Sequence, residues 1–321
     1  MFQELRGSKP FRVGYLLVPK FSLMAFASAF EPLRVANRMA DREVYDWSLI
    51  SADGQPVPCS GGLETVVDSA IGDDIDVDML VILASFDPAA GVSRKTLAWM
   101  RRLAGRGVWV TGVDTGSYVM AIAGLLDGYR ATTHWEHREI FSNDFPGVRL
   151  MRDMFVADGK RLTAAGGTAC IDMMLNMIRQ QLGYDLAAAV SDQFIHTQIR
   201  DGSDRQRMQL RDRLDVSNPI VVRAVELMEM HTEDPLSTRD IAAEVSISLR
   251  ELERLFRRWL DVTPGRYYRD LRLQKARALL LHSTSSVTEV AFQCGFSSVA
   301  SFSRSYKNKY GHSPSAGRSN A

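Results

Sequence analysis

Residues 237–256 read STRDIAAEVSISLRELERLF. Ser237-Thr-Arg-Asp240 and Ser248-Leu-Arg-Glu251 are both capping-box patterns: a serine oxygen can accept from the backbone three residues on while the acid reaches back. Helices are therefore predicted to start at Ser237 and Ser248. The first can run only to about Val245, so two helices are joined by a very short turn. Apolar spacing fits a helix-turn-helix, with Ile241 and Ala242 in the first helix, Ile247 in the turn, and Leu252, Leu255 and Phe256 in the second. Ala242 is small where the helices must cross, and Ser246 stands where such turns often place glycine.

The pattern recurs. Val290, Ala291, Gly295, Phe296, Phe302 and Tyr306 repeat the order of Ile241, Ala242, Ser246, Ile247, Leu252 and Phe256, with the second turn one residue longer. Duplication about 50 residues apart is far more specific than a single match. Arg266–His282 between the units predicts a helical rod of about 25 Å, the order of length that sets two helices into successive major-groove segments ~34 Å apart. On the first second-helix, Arg250, Glu253, Arg254 and Arg257 lie off the apolar face. On the other, Ser301, Ser303 and Arg304 face outward, with Lys307 and Lys309 nearer its end. Arginine reads guanine with two hydrogen bonds and glutamate accepts from cytosine. Residues near each helix start are expected to read bases, and those further along to hold phosphates. One such helix fits a solvated bundle face equally well, but two in register point to double-stranded DNA.

Charge divides in the same way. From Ser217 to Ala321 the chain carries 15 Lys/Arg against 11 Asp/Glu, leaving 24 against 27 before it. A basic tail behind a mildly acidic front fits a nucleic-acid partner for the tail alone. The front alternates strand and helix. Phe11–Val18, Trp47–Ser51, Met79–Leu83 and Val108–Thr111 read as strands, and Phe155–Ala157 with Arg161–Ala164 as a hairpin. Leu23–Met39, kinked or restarted at Pro32, Ser93–Ala104, Cys170–Leu182 and Leu186–Gln198 read as helices. The fold class is thus a doubly wound α/β sheet domain (1–200), a polar linker (201–217) and an all-α domain with two helix-turn-helix units (218–321). No apolar run approaches membrane length. The polar N-terminus and three scattered cysteines (Cys59, Cys170, Cys294) fit a cytoplasmic protein without disulfides or zinc.

Gly112-Val-Asp114-Thr-Gly116 follows an apolar strand and precedes a helical run, the form of a nucleophile elbow. Its centre is Asp. Three roles are open to Asp114: a covalent nucleophile with His134 as the nearby base, a helix cap, or a ligand contact. A carboxylate beside Phe21, Phe86, Tyr118 and Trp135, all just after strands or in the elbow, can hold a cation by charge and cation–π attraction; each aromatic also fits a core position. His134 and His137 with Glu136 and Glu139 lack further ligands nearby in sequence, so neither metal nor cofactor is expected.

Two resemblances cover most of the chain. Pro235-Leu-Ser, Leu252-Glu-Arg-Leu-Phe256, Thr263-Pro-Gly-Arg-Tyr267, Leu271-Arg-Leu, Ala276-Arg, Val290-Ala, Cys294-Gly-Phe296, Phe302-Ser-Arg304 and Ser313-Pro-Ser315 resemble the DNA-binding domain of AraC/XylS-type regulators. This resemblance implies base contacts from Arg250, Glu253 and Arg254, and from Ser301, Ser303 and Arg304. Residues 11–200 resemble the DJ-1/PfpI branch of the glutamine-amidotransferase-like fold. The carriers are Val13–Val18, Glu31-Pro-Leu-Arg34 with Ala36-Asn, the elbow, Ala123-Gly-Leu-Leu-Asp-Gly128 and Ala131-Thr-Thr-His-Trp135. Enzymes of that branch use a cysteine at the elbow; here Asp114 replaces it, and Ser22 stands where its acidic partner is expected. The pairing of domains is similar to that of GlxA-type regulators. It implies a homodimeric activator of amino-acid or quaternary-amine catabolism that works with RNA polymerase at a promoter, with arginine, glycine betaine or carnitine as effector. The alternative is an Asp-nucleophile hydrolase with a DNA-binding tail.

Overall fold

The computed structural model describes residues 9–72, 74–206, 214, 216, 218–283 and 285–319. The chain divides into two compact units, Met1–Gln206 and Arg207–Ala321.

The first unit begins β1 (Phe11–Leu17), α1 (Leu23–Met39) and β2 (Tyr45–Ser51), followed by the short β3 (Val57–Pro58), β4 (Glu64–Thr65) and β5 (Ser69–Ala70). Then come β6 (Met79–Ala84), α2 (Arg94–Gly105), β7 (Trp109–Asp114), α3 (Gly116–Ile122), β8 (Arg130–Ala131), α4 (Arg138–Asp144) and β9 (Arg149–Leu150). The hairpin β10 (Phe155–Asp158) and β11 (Arg161–Ala164), α5 (Ala169–Leu182) and α6 (Tyr184–Gln193) complete it. One sheet runs β10-β11-β7-β6-β1-β2-β5, parallel throughout except that β10 returns antiparallel to β11.

The continuous apolar runs follow from cover on both faces. Val13, Tyr15, Leu17, Met79, Val81 and Leu83 enter one core, with residues of α1, α5 and α6. Their alternates Leu16, Val18, Leu80, Ile82 and Ala84 enter the other, with Trp99, Met100, Leu103, Val119 and Phe141. Successive side chains leave opposite faces of a strand, so both sets must be apolar.

Two expectations are corrected. α1 is one helix through Pro32, with no restart there. Pro32 is buried and its helix is packed along the sheet; this packing outweighs the local loss of one backbone donor. α6 ends at Gln193 and not at Gln198. Ile195 takes φ 55°, and the chain turns so that His196 Nε2 and the Arg200 guanidinium reach the buried Asp172 carboxylate at 2.8 and 2.6 Å.

Residues 201–206, expected to begin a linker, are held against the first unit. Met154 N donates to Gly202 O at 2.8 Å, and Asp153 bridges to Arg205. Of the remaining linker expectation, 207–213, 215 and 217 lie outside the described residues.

The second unit contains α7 (Pro219–Met230), α8 (Thr238–Glu244), α9 (Leu249–Leu260), α10 (Pro264–His282), α11 (Val287–Gln293), α12 (Val299–Tyr310) and α13 (Pro314–Ser319). Ser237 and Ser286 form complete capping boxes with Asp240 and Glu289. Ser248 accepts from Glu251 N, but the Glu251 carboxylate turns to Arg254, leaving that box half formed. The turns span 245–248 and 294–298, the second longer by one residue. Ile241, Ala242, Leu252, Leu255 and Phe256 close a core with Val221, Val225 and Met228 of α7.

Ser246 occupies the left-handed region (φ 58°) at the place where the other unit uses Gly295 (φ 69°). A side chain is strained there. Ser246→Gly is therefore expected to raise stability by about 0.5–1 kcal/mol in urea denaturation; a loss of stability would contradict the strain.

Candidate effector site and nucleic-acid interface

The elbow is built by two glycines. A Cβ on Gly112 would stand 2.5 Å from Ser117 N, and one on Gly116 would stand 2.1 Å from Ile82 O. Backbone therefore passes backbone at distances no side chain permits. The turn between them puts Asp114 at φ 60°, a conformation that a short polar residue tolerates. Gly166 closes in below, where a Cβ would lie 2.9 Å from Asp114 Cβ. The Asp114 carboxyl is thus presented at the C-terminal edge of the sheet, the usual ligand edge of such folds.

Asp114 is 8% exposed. Burial raises its pKa to about 7; hydrogen bonds from the Ser85 side chain and the Thr115 backbone oppose the rise, and the charge of Glu136 adds to it. Asp114 does not cap α3: Thr115 occupies that position, without a side-chain hydrogen bond. The Asp114 carbonyl accepts from Ser117 Oγ at 3.0 Å and Thr133 Oγ1 at 3.3 Å. The loops 85–87 and 132–136 therefore both fasten onto Asp114.

His134 lies on the second loop, tilted against Trp135 with ring centroids 5.6 Å apart. Burial lowers its pKa to about 4, so it is neutral at pH 7 and its 3.7 Å approach to Glu136 is not an ion pair. Trp135 and Phe86 are exposed at the same edge. Two other expected ligand residues are committed elsewhere. Phe21 is wholly buried in the core, edge-on to Phe26. Tyr118 donates to Asp144 Oδ2 at 2.6 Å and packs on Phe141 and Phe145. The structure adds Ser85, which no motif marks, and brings Thr133 and Glu136, named in the sequence only within the Thr-Thr-His segment and as a metal-ligand candidate, to Asp114.

It also adds Gln206. Its Nε2 donates to Thr132 Oγ1 (2.9 Å), Thr133 O (3.0 Å) and Asp153 O (2.8 Å). The end of the first unit thereby grips the loop that carries His134 and Trp135. Among the described residues, no group of three or more His, Cys, Asp or Glu side chains is placed to hold a metal.

On α9, Arg250, Glu253, Arg254 and Arg257 are all exposed opposite the buried Leu252, Leu255 and Phe256. Arg254 Nε and Nη2 bond the Glu251 carboxylate at 2.8 and 2.5 Å, which holds the acid below its usual range. On α12, Arg304 and Lys307 are exposed, and Ser301 and Ser303 are half-buried. Lys309 does not face outward with them: its Nζ donates to Asp270 O at 2.8 Å.

An α/β unit joined to a unit with two capped helix-turn-helix pairs defines the class: a DNA-binding transcriptional regulator. Residues 16–180 match the DJ-1/PfpI family and residues 241–320 a helix-turn-helix domain. The chain is 46% identical over 304 residues to the HTH-type transcriptional regulator CdhR of Pseudomonas aeruginosa, spanning 95% of this chain and 90% of that one. It is 36% identical over 307 residues to the HTH-type transcriptional regulator GlxA of Rhizobium meliloti, spanning 94% of each. The crystal structure of an AraC family transcriptional regulator from Pseudomonas putida superposes with a TM-score of 0.52 at 27% identity, covering 58% of this chain and 100% of that one. The chain belongs to the GlxA-type transcriptional regulators, which join a DJ-1/PfpI domain to an AraC-type DNA-binding domain. No helix among the described residues is long and apolar enough to cross a membrane.

The raised pKa of Asp114 carries a stability consequence. Its folded value, about 7, lies above the ordinary 3.8, so the folded state holds this proton longer than the unfolded chain. Stability therefore falls as pH rises from about 4 to 7, and the full penalty applies above 7. Asp114→Asn removes the titration. In urea melts, the stability of the variant relative to wild type should grow by about 2–3 kcal/mol between pH 5 and pH 8; a pH-independent difference would contradict the burial argument.

Proposed function

We propose that this chain is a one-component transcriptional activator whose α/β unit binds a small cationic metabolite at the Asp114 elbow. The observation that carries this reading is the substitution at the elbow: a buried carboxyl stands where the resembling enzymes hold a thiol nucleophile. With its pKa near 7, Asp114 is half ionised at neutral pH, and a cation brought beside it supplies the missing partner and draws off the remaining proton. The exposed Trp135 and Phe86 rings offer faces to an ammonium group. This favours a regulator without catalytic activity over the hydrolase reading.

The effector class is an arginine-, glycine betaine- or carnitine-like amine, and the regulated genes serve amino-acid or quaternary-amine catabolism. Effector held between Asp114 and the 132–136 loop acts on Gln206, the last residue of the unit, whose side chain fastens that loop. The α/β unit also dimerises, so that paired helix-turn-helix units meet a promoter and RNA polymerase in the cytoplasm. Arg250, Glu253 and Arg254 read bases with Ser301, Ser303 and Arg304, whereas Arg257 and Lys307 hold phosphates.

Thermal denaturation of the full chain with L-arginine, glycine betaine or carnitine tests the reading. One of these at 100 times its dissociation constant should add about 2.7 kcal/mol of stability, and Asp114→Ala should abolish the gain. No shift from any of the three, or a gain retained in Asp114→Ala, would overturn the assignment of the elbow.

A further inference from the structure

In the second unit, the rod α10 does more than separate the two helix-turn-helix pairs. Arg272 is half-buried on it, and its Nη1 donates to Gly295 O at 2.9 Å, in the turn of the second pair. Its guanidinium carbon lies 4.8 Å from the Phe296 ring centroid and 5.4 Å from that of Tyr268. Tyr268, one turn earlier on the rod, donates its hydroxyl to His231 O at 2.5 Å, and Lys275 reaches Thr232 Oγ1 at 3.3 Å. The segment they hold, 231–235, leads directly into the first pair. It also touches the second: a Cβ on Gly295 would stand 2.7 Å from Pro235 Cδ and 2.9 Å from Thr232 O. Three rod side chains and one glycine thus clamp the entry of the first reader to the turn of the second.

Arg272 is a costly way to fill this space. Its Nε–H is buried without a hydrogen-bond partner, a penalty that an apolar stem of similar length would not carry. What a guanidinium alone provides is a flat cation that lies against two rings while donating to a carbonyl. We propose that Arg272 is a positioning residue that fixes the distance and phase between the two recognition helices, making the spacing of the two DNA subsites a part of the sequence that the protein reads. This rests on the two-reader assignment of α9 and α12. One inserted base pair shifts a subsite by 3.4 Å and about 35° around the duplex, so a rigid clamp rejects it.

The test is selection of random duplex DNA by the full-length wild type, Arg254→Ala, Arg272→Lys and Arg272→Met, followed by Kd measurements on the selected site with zero, one or two base pairs inserted between its blocks. The expected wild-type result is two blocks at one spacing, with affinity falling about tenfold or more on a single insertion. Arg254→Ala should blur one block and keep the spacing. Arg272→Met should keep both blocks but select several spacings, bringing the insertion penalty within about twofold, with Arg272→Lys between. A single wild-type block would sink the two-reader assignment itself. Two blocks at variable wild-type spacing, or one unchanged spacing in a folded Arg272→Met, would overturn the clamp alone. If Arg272→Met does not fold, the wild-type insertion series and Arg272→Lys decide: a single-insertion loss under about twofold in wild type, or an Arg272→Lys penalty equal to that of wild type, counts against it.

Discussion

The first unit depends on a contact that leaves no room for a methyl group. Gly116 passes the Ile82 carbonyl so closely that a Cβ would stand 2.1 Å from the oxygen, and Gly112 meets the start of α3 as tightly. This crossing forces the left-handed backbone at Asp114 and aims its side chain at the ligand edge of the sheet. In a catalytic elbow, the same geometry exposes a nucleophile. Here it delivers a carboxyl into a poorly hydrated site, where its charge is disfavoured unless a partner arrives. The proposed sensing chemistry is what remains when the backbone strain is kept and the thiol is replaced.

The second unit is organised by shorter-range forces. Serine oxygens cap five of its helices, at Ser237, Ser248, Ser286, Ser298 and Ser313, each satisfying a backbone donor that water would otherwise have to reach. Aromatic packing of Phe296, Phe302 and Tyr306 gives the second pair its core. The first pair instead closes on Val221, Val225 and Met228 of α7, with Phe256 edge-on to Tyr267. The second helices of the two pairs are unequal at the surface as well: α9 exposes four arginines (Arg250, Arg254, Arg257 and Arg258), with Arg254 tied to Glu251, and α12 offers Arg304 and Lys307 beside half-buried serines.

Much of this was legible in the sequence because it is local. A capping serine finds its partner three residues away, and a strand covered on both faces is apolar along its length, so β6 and the start of β7 declare themselves. The paired turns, down to the extra residue in the second, could be counted directly. What could not be read depends on partners distant in sequence. Pro32 sits in an unbroken helix because packing on the sheet holds α1 together, and α6 stops early because Asp172, in another helix, draws in His196 and Arg200. A position just past a strand does not say which way its ring points, and so Phe21 fell to the core and Tyr118 to Asp144. Gln206, in a stretch whose composition reads as linker, carries no signal of the loop it grips.

The central claim is that Asp114 is half-protonated when the site is empty and becomes a carboxylate against a bound cation. Glycine betaine and carnitine test this cleanly, because a quaternary ammonium has no proton of its own to lose. Calorimetric titration of the full chain at pH 7, repeated in two buffers of different ionisation enthalpy, counts the protons exchanged on binding. A folded pKa of about 7 predicts release of roughly half a proton per ligand, rising toward one at pH 6 and vanishing above pH 8. Binding with no proton exchanged between pH 6 and pH 8, or no binding by either compound, would contradict the account.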